Sequence, residues 1–195
     1  MMELTLQLDL LAPVDWRVLR EARLSALLDS PYAFTSSYAH ESTWQEPDWR
    51  RLFNAATWVV ARESEKVIGL ARSIGEPELP DTRHVESVWV APTHRRRGVF
   101  RALMRALAES ERQAGIADLL LWVLEGNDDA QRAYEALGFE PTGDFPPGVR
   151  TVRAATAVGR PTITGIVSRT GHGYAVDPSS FRVDIVAKLC KCPRL

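Results

Sequence analysis

The stretch from Val85 to Met104, VESVWVAPTHRRRGVFRALM, constrains the fold more than any other part of the chain. It begins as an apolar run, passes through Pro92 and a run of arginines, and continues after Gly98 with amphipathic spacing. A strand that leads through a glycine loop into a helix forms an anion cradle, because the loop N–H groups and the helix dipole face the same place. The stretch lacks the Gly-Lys-Ser/Thr of a P-loop and the Gly-x-Gly of a dinucleotide-binding turn. It therefore predicts an anion site of another type.

The apolar periodicities on either side of this stretch predict a mixed α/β sheet with flanking helices, in the order β-α-α-β-β-β-α-β-α-β. The predicted strands are Leu4–Leu10, Thr57–Glu63, Lys66–Ile74, His84–Ala91, Asp118–Leu124 and one beginning at Phe139. The predicted helices are Val14–Leu28, a short one from near Pro47, one from Gly98 that ends by Gly115, and one from Asn127 or Asp128 to Leu137. The proline-rich stretch Gly75–Arg83 is predicted to be a loop.

Composition excludes several classes of function. A formal net charge of −1 gives no reason to expect nucleic-acid or membrane-surface binding. No apolar run approaches the roughly 20 residues of a membrane span, and the first residues lack the pattern of a signal peptide. Cys190 and Cys192 stand together without partnering histidines, so we expect neither a disulfide framework nor a metal site. These features favour a cytoplasmic protein without a metal site.

Two motifs resemble those of the GNAT (Gcn5-related N-acetyltransferase) family. The strand VWVAP followed by RRRGVF is similar to the family's acyl-CoA loop, Arg/Gln-x-x-Gly-x-Gly/Ala. NDDAQRAYEALGF, Asn127 to Phe139, is similar to the family's Asn-x-x-Ala-x-x-x-Tyr-x-x-x-Gly-Phe segment. One helix and one apolar strand separate the motifs, as in the family. The resemblance covers roughly Leu4 to Gly143 and implies a GNAT domain over residues 1–143.

The resemblance implies that acetyl-CoA is the cosubstrate. Its diphosphate would lie on backbone N–H groups at the start of the helix, with arginine side chains adding charge-assisted bonds. Its amide-rich arm would pair with the edge of the preceding strand, which splays from the next strand in the family. The implied binding residues are Val88, Trp89, Val90, Arg95, Arg96, Arg97, Gly98, Val99, Phe100, Arg101, Asn127 and Tyr134.

The implied reaction is direct transfer of an acetyl group from acetyl-CoA to a primary amine. Tyr134 matches the family's usual general acid for the leaving thiolate. A base must also deprotonate the ammonium of the acceptor, and His84 and Glu86 stand two apart on one strand, hence on one face. Glu86 is slightly favoured over His84. Structural roles for these three side chains remain open at this point.

Two departures from the family pattern raise separate expectations. Phe100 stands where the family has Gly or Ala, and we expect it to pack with the apolar stripe of the helix rather than crowd the diphosphate. The segment 144–195 contains no glutamate and replaces the usual ending. Either Phe181–Leu189 or Val149–Val158 supplies the last strand, or the segment is foreign to the family, as a shifted reading frame would make it.

The acceptor cannot be read from the sequence. Its pocket is expected from Pro31–Phe53, the loop Gly75–Arg83 and the C-terminal segment. An antibiotic-like polyamine, a small metabolite and a protein N-terminus all stay open. Edge strands in such sheets often pair, which leaves a homodimer open. The alternative function is a non-catalytic module that binds acyl-CoA on the same fold.

Overall fold

The computed structural model describes residues 6–34, 36–76, 79–124, 128–141 and 149–155, which form one seven-stranded sheet with helices packed on it. Its strands are β1 (Leu6–Leu10), β2 (Ala56–Glu63), β3 (Lys66–Glu76), β4 (Leu79–Val90), β5 (Asp118–Leu124), β6 (Glu140–Pro141) and β7 (Val149–Ala155). Its helices are α1 (Trp16–Asp29), α2 (Tyr38–Glu41), α3 (Glu46–Asn54), α4 (Val99–Gln113) and α5 (Asp128–Glu135). The mixed α/β class is confirmed; the short helix α2 adds to the predicted order, and β7 lies within Val149–Val158, one of the two segments expected to supply the last strand.

The strands follow the order β1-β2-β3-β4-β5-β7-β6 across the sheet. The pair formed by β4 and β5 is parallel, and every other described pair is antiparallel. Residues Val149–Ala155 form β7, which pairs with β5 on one side and β6 on the other. The sheet therefore extends beyond Gly143 and takes up one of the two segments expected to supply a last strand. Phe181–Leu189, the other, lies outside the described residues.

The predicted loop at Gly75–Arg83 is wrong, because most of it belongs to two long strands. Strand β3 continues to Glu76 and β4 begins at Leu79, with Gly75 paired opposite Arg83. The register shifts beside this pair, and such irregular positions tolerate proline, which lacks a backbone N–H. Pairing of this part of β4 with both β3 and β5 outweighs its turn-like composition.

Helix α4 packs across β1 to β4 and carries the predicted apolar stripe. Val99, Leu103, Met104 and Leu107 are buried, and Phe100 packs half-buried beside them. The helix approaches β3 closely at Gly69, where a Cβ would lie 2.8 Å from Cδ1 of Leu103. This contact fixes the distance between the helix and the sheet, and with it the position of the loop that precedes α4.

The helices end near the proline and glycine residues that the sequence predicts as stops, with one difference. α1 ends at Asp29 before Ser30-Pro31, and α4 ends just before Gly115, whose φ is +82°. α5 ends at Glu135 rather than at the predicted Leu137, because the chain turns before Gly138, whose φ is +89°. Among the described helices, none has both the length and the apolar character needed to cross a bilayer.

Candidate functional site

Strands β4 and β5 separate part-way along their length. Their parallel pairing covers Thr82 to His84 on β4 and Asp118 to Leu120 on β5. Beyond His84, β4 keeps its pairing with β3, and β5 continues to Leu124 paired with β7. One edge of β4 is therefore left without a partner strand within the described part of the sheet. An extended amide-containing chain can bind such an edge through main-chain hydrogen bonds.

The predicted binding residues Val88, Trp89 and Val90 lie on this edge, and their side chains are buried. The indole Nε1 of Trp89 donates a hydrogen bond of 2.9 Å to Oδ2 of Asp29 at the end of α1. These three residues can therefore offer backbone groups at the edge, while their side chains hold the strand in the core. Asn127, the predicted contact for the same arm, lies outside the described residues.

The arginine loop has the backbone geometry of an anion-binding turn. Arg96 has a φ of +61° and Gly98 a φ of +83°, so both lie in the left-handed region. Gly98 is the N-cap of α4 and makes no side-chain cap, which leaves the N–H groups of the first turn facing outward from the helix end. Consecutive N–H groups in such turns form concave sites for anions, and the helix dipole adds to them.

The four arginines of this region differ in their contacts and exposure. Arg95 is half-buried: its Nη2 lies 2.5 Å from Oδ2 of Asp29, and its Nε donates a 3.0 Å bond to the Val90 carbonyl. It joins the loop to α1 and β4, so its side chain is already engaged. Arg96, Arg97 and Arg101 are exposed, and none of them forms an ion pair with another described residue. These three are the cations available to a bound anion.

A cleft of about 420 Å³ runs between the arginine loop and α5. Its wall on one side includes the Arg96 and Arg101 side chains and Gly98, and on the other Asp129 and Ala133. Phe100 also lines the cleft and packs edge-on against Tyr134, with ring centroids 5.2 Å apart. The expectation that Phe100 packs with the helix stripe is thus met, although the same ring also forms part of the cleft surface.

Tyr134 is fully buried between two aromatic rings. The ring centroid of Phe139 lies 5.5 Å from that of Tyr134, and Phe100 also contacts the Tyr134 ring edge-on. Burial raises the pKa of its phenol well above the ordinary value. The hydroxyl has no hydrogen-bond partner among the described residues. Buried hydroxyls are normally paired, and Tyr134 is not among the residues that line the cleft.

The two predicted base candidates lie together, and a third residue joins them. Nδ1 of His84 is 3.4 Å from Oε1 of Glu86, and all three side chains of the group are buried. The other carboxylate oxygen, Oε2, accepts a hydrogen bond from Arg72, which lies opposite Glu86 on β3. Sequence reasoning missed Arg72 because the β3–β4 register could not be set while residues 75–83 were assigned to a loop.

Sequence reasoning also missed a bulge in β4. Ser87 has a φ of +53° in the interior of the strand, and the register with β3 shifts between Leu70 and Arg72. A bulge bends a strand and redirects its side chains, and bulges are frequent beside active sites. This one lies between Glu86 and the unpaired edge at Val88. A serine in an otherwise apolar run was its only sequence signal.

Within the part of the chain that the structure describes, no group of three or more His, Cys, Asp or Glu side chains could hold a metal ion. Cys190 and Cys192 lie outside that part.

Comparison with known proteins gives a consistent result. The profile of the acetyltransferase (GNAT) family matches residues 22–139. N-acetyltransferase 8 of Homo sapiens is 31% identical over 87 residues, which cover 43% of this chain and 38% of that protein. Streptothricin acetyltransferase of Streptomyces lavendulae is 42% identical over 55 residues, which cover 28% of this chain and 29% of that protein.

Among solved structures, yncA of Salmonella typhimurium, determined with its cofactor acetyl-CoA, shares the fold. Its TM-score is 0.59 at 18% identity, over 80% of this chain and 96% of that one. The chain thus spans less than two fifths of either curated relative in sequence, but almost the whole of this structural neighbour.

Proposed function

The chain belongs to the acetyltransferase (GNAT) family, and from that premise we propose that it transfers an acetyl group from acetyl-CoA to a primary amine. The observation that carries the proposal is the separation of β4 from β5 beyond His84. It leaves a strand edge free at Val88–Val90. The base candidates come before this edge in the chain, and the arginine loop comes after it. The structural neighbour solved with acetyl-CoA has the same fold.

The residues present fit acetyl-CoA. The edge of β4 at Val88–Val90 would pair with the amide-rich arm. The N–H groups from Val99 to Arg101 would bind the diphosphate at the start of α4, and Arg96, Arg97 and Arg101 would add charge. The free hydroxyl of Tyr134 offers a donor for the sulfur end. Bound acetyl-CoA supplies an activated acyl carbonyl and a thiol leaving group.

The chain's own residues would manage two protons in this reaction. Glu86, with His84 beside it, would accept the proton that the acceptor ammonium must lose. As the new C–N bond forms and the C–S bond breaks, Tyr134 would donate a proton to the sulfur. A phenol with a raised pKa stays protonated at neutral pH, as a general acid must. Proton transfer by a positioned group typically contributes about 10²- to 10⁴-fold in rate.

Arg72 gives Glu86 a fixed orientation in this scheme. Its guanidinium bonds one carboxylate oxygen and leaves the other turned toward His84. A base held in one geometry requires less reorganisation during proton transfer. The proposal assigns proton acceptance to the His84–Glu86 pair, with Glu86 favoured because Arg72 orients it.

Two observations favour the alternative of a non-catalytic acyl-CoA-binding module. Phe100 lines the cleft at a position where the family has Gly or Ala, and Arg95 is engaged with Asp29. Both features reduce the room and the charge available to the diphosphate. A module of this kind would bind acyl-CoA weakly and release no thiol.

A combined binding and turnover experiment tests the proposal. Acetyl-CoA is titrated calorimetrically, and thiol release is then followed with streptothricin, a polyamine, small amine metabolites and a peptide with a free N-terminus. Release that depends on one class of amine, with a matching mass increase of 42 Da in the acceptor, supports the proposal. Binding without release for every amine supports the module instead. Absence of binding contradicts both.

A further inference from the structure

Arg23 is a buried cation in the apolar face of α1. Its side chain is 2% exposed, and its neighbours on the same helix face, Leu19, Ala26 and Leu27, belong to the core. A charge in such a place is costly unless it is paired and hydrogen-bonded. The acetyl-transfer scheme above makes no use of it.

The guanidinium of Arg23 joins three segments that are distant in sequence. Its Nε and Nη2 donate to both carboxylate oxygens of Glu41 on α2, the closest contact being 2.8 Å. Its Nη1 donates a 2.8 Å hydrogen bond to Oγ of Ser87 on β4. Its Cζ also lies 4.7 Å from the centre of the Phe34 ring. Glu41 and Ser87 are each about 1% exposed, so the whole network is closed to solvent.

Ser87 is the bulge residue of β4. Its φ of +53° is a conformation that residues other than glycine seldom adopt, and the surrounding structure must hold it. The hydrogen bond from Arg23 reaches this residue from outside the sheet. The bulge separates Glu86, the proposed base, from the free edge at Val88. A change at Ser87 would therefore alter the direction of the base relative to the strand edge.

The other end of the network reaches α2. This helix lies within Pro31–Phe53, the segment expected to contribute to the acceptor pocket. Through Glu41, Arg23 ties that segment to α1, and through Ser87 it ties both to the reacting strand. The segment expected to contribute to the acceptor pocket and the bulge are thus joined by one buried hydrogen-bonded group.

We propose that the Arg23–Ser87 hydrogen bond is a positioning contact. It holds the β4 bulge so that the base, Glu86, and the strand edge at Val88 keep their mutual geometry. Through its ion pair with Glu41, Arg23 also fixes α2 to the bulge. The inference rests on the proposed acetyl transfer. Arg23 touches neither substrate in this scheme and acts through Ser87. Displacements of about 1 Å at a reacting centre can reduce rate about 100-fold, which is the scale expected here.

The test uses Ser87→Ala, because substitution of Arg23 or Glu41 would leave the other residue of the buried ion pair unpaired and could prevent folding. In Ser87→Ala, Arg23 keeps its ion pair with Glu41. The chain offers a matched control in Ser73→Ala on β3. There, Oγ of Ser73 donates a 2.5 Å bond to Oε1 of the buried Glu111, and Glu111 keeps Arg83 at 3.5 Å after the substitution. Both variants lose one buried serine bond to a charged side chain.

The expected kinetic result is a split between the variants. In Ser87→Ala, kcat falls about 10- to 100-fold while the Kd for acetyl-CoA stays within about twofold. In Ser73→Ala, both values stay within about twofold, although thermal stability falls similarly. Equal kcat values in the two variants would overturn the inference, because a merely structural role predicts loss of stability alone.

Hydrogen exchange separates this inference from the proposed function. Backbone amides over residues 85–90 should exchange faster in Ser87→Ala than in wild type, with no such change in Ser73→Ala. This readout needs no acceptor and no turnover. If wild type turns over no amine but the exchange difference appears, the proposed function fails and the link between Arg23 and the bulge stands. Unchanged exchange in Ser87→Ala refutes the link whatever the activity.

Discussion

Replacing Tyr134 by Phe isolates the chemistry of one oxygen. The ring is fully buried and held between Phe100 and Phe139, so a phenylalanine ring can occupy the same space. The hydroxyl makes no hydrogen bond with any described residue. The substitution therefore removes the proposed acid without removing a contact that stabilises the free protein.

The structure predicts opposite effects of this substitution on stability and on turnover. A buried hydroxyl without a partner costs about 1–3 kcal/mol, so Tyr134→Phe should leave the free energy of unfolding unchanged or raise it by about 1 kcal/mol. For a chain of this size, that gain corresponds to a rise in Tm of about 2–4 °C. Loss of a general acid should lower kcat about 10²- to 10⁴-fold. Acetyl-CoA affinity should change little.

Urea unfolding and thiol release measured on the same preparations test both halves. Tyr38→Phe is the matched control for stability, since Tyr38 is 39% exposed and loses the same oxygen from a solvated site. Its free energy of unfolding should change by less than about 0.5 kcal/mol. The reasoning is refuted if Tyr134→Phe keeps more than about a third of wild-type kcat. It is equally refuted if Tyr134→Phe is less stable than wild type by 1 kcal/mol or more.

Three further results are expected. Because burial raises the pKa of Tyr134, the free energy of unfolding of wild type should fall as pH rises above about 10. Urea titrations should show a loss of up to about 1.4 kcal/mol per pH unit relative to Tyr134→Phe. Parallel pH curves for the two proteins would contradict this. Gly69→Ala should cost about 1–3 kcal/mol, because its Cβ would lie 2.8 Å from a leucine carbon of α4, whereas Gly75→Ala meets nothing within 4 Å; equal costs would refute the close approach. Gly98→Ala and Gly115→Ala should each cost about 1–2 kcal/mol, since both have φ near +80°, but only Gly98→Ala should weaken acetyl-CoA binding in calorimetry.

Local pattern was enough to predict the elements that position the site. The helix after Gly98 and the strand from Asp118 are strongly apolar; the strand has its expected bounds, and the helix ends two residues before Gly115. The pairing of His84 with Glu86 also followed from strand spacing alone. A boundary near Gly143, a cytoplasmic location and a homodimer stay predictions.

The parts that sequence could not predict depend on tertiary contacts. Residues 75–83 have the composition of a loop, and only pairing with both neighbouring strands makes most of them β-structure. Arg23 lies four residues from both Leu19 and Leu27, so the periodicity of α1 places it on the core face of the helix but does not identify its partners. Its partners, Glu41 and Ser87, are 18 and 64 residues away, and the periodicity of α1 says nothing about them.

The buried charges around the β4 bulge are better explained by geometry than by stability. Arg23 pairs with Glu41 and Arg72 with Glu86, and all four side chains are at most 6% exposed. Removing charges from water costs several kcal/mol for each ion, and well-packed apolar side chains are often as stable or more so. Both pairs hold residues next to each other on β4, Glu86 and Ser87. These ion pairs fix adjacent residues on the proposed reacting strand and so set the direction of their side chains. Apolar packing sets that direction poorly, because hydrophobic contacts are non-directional.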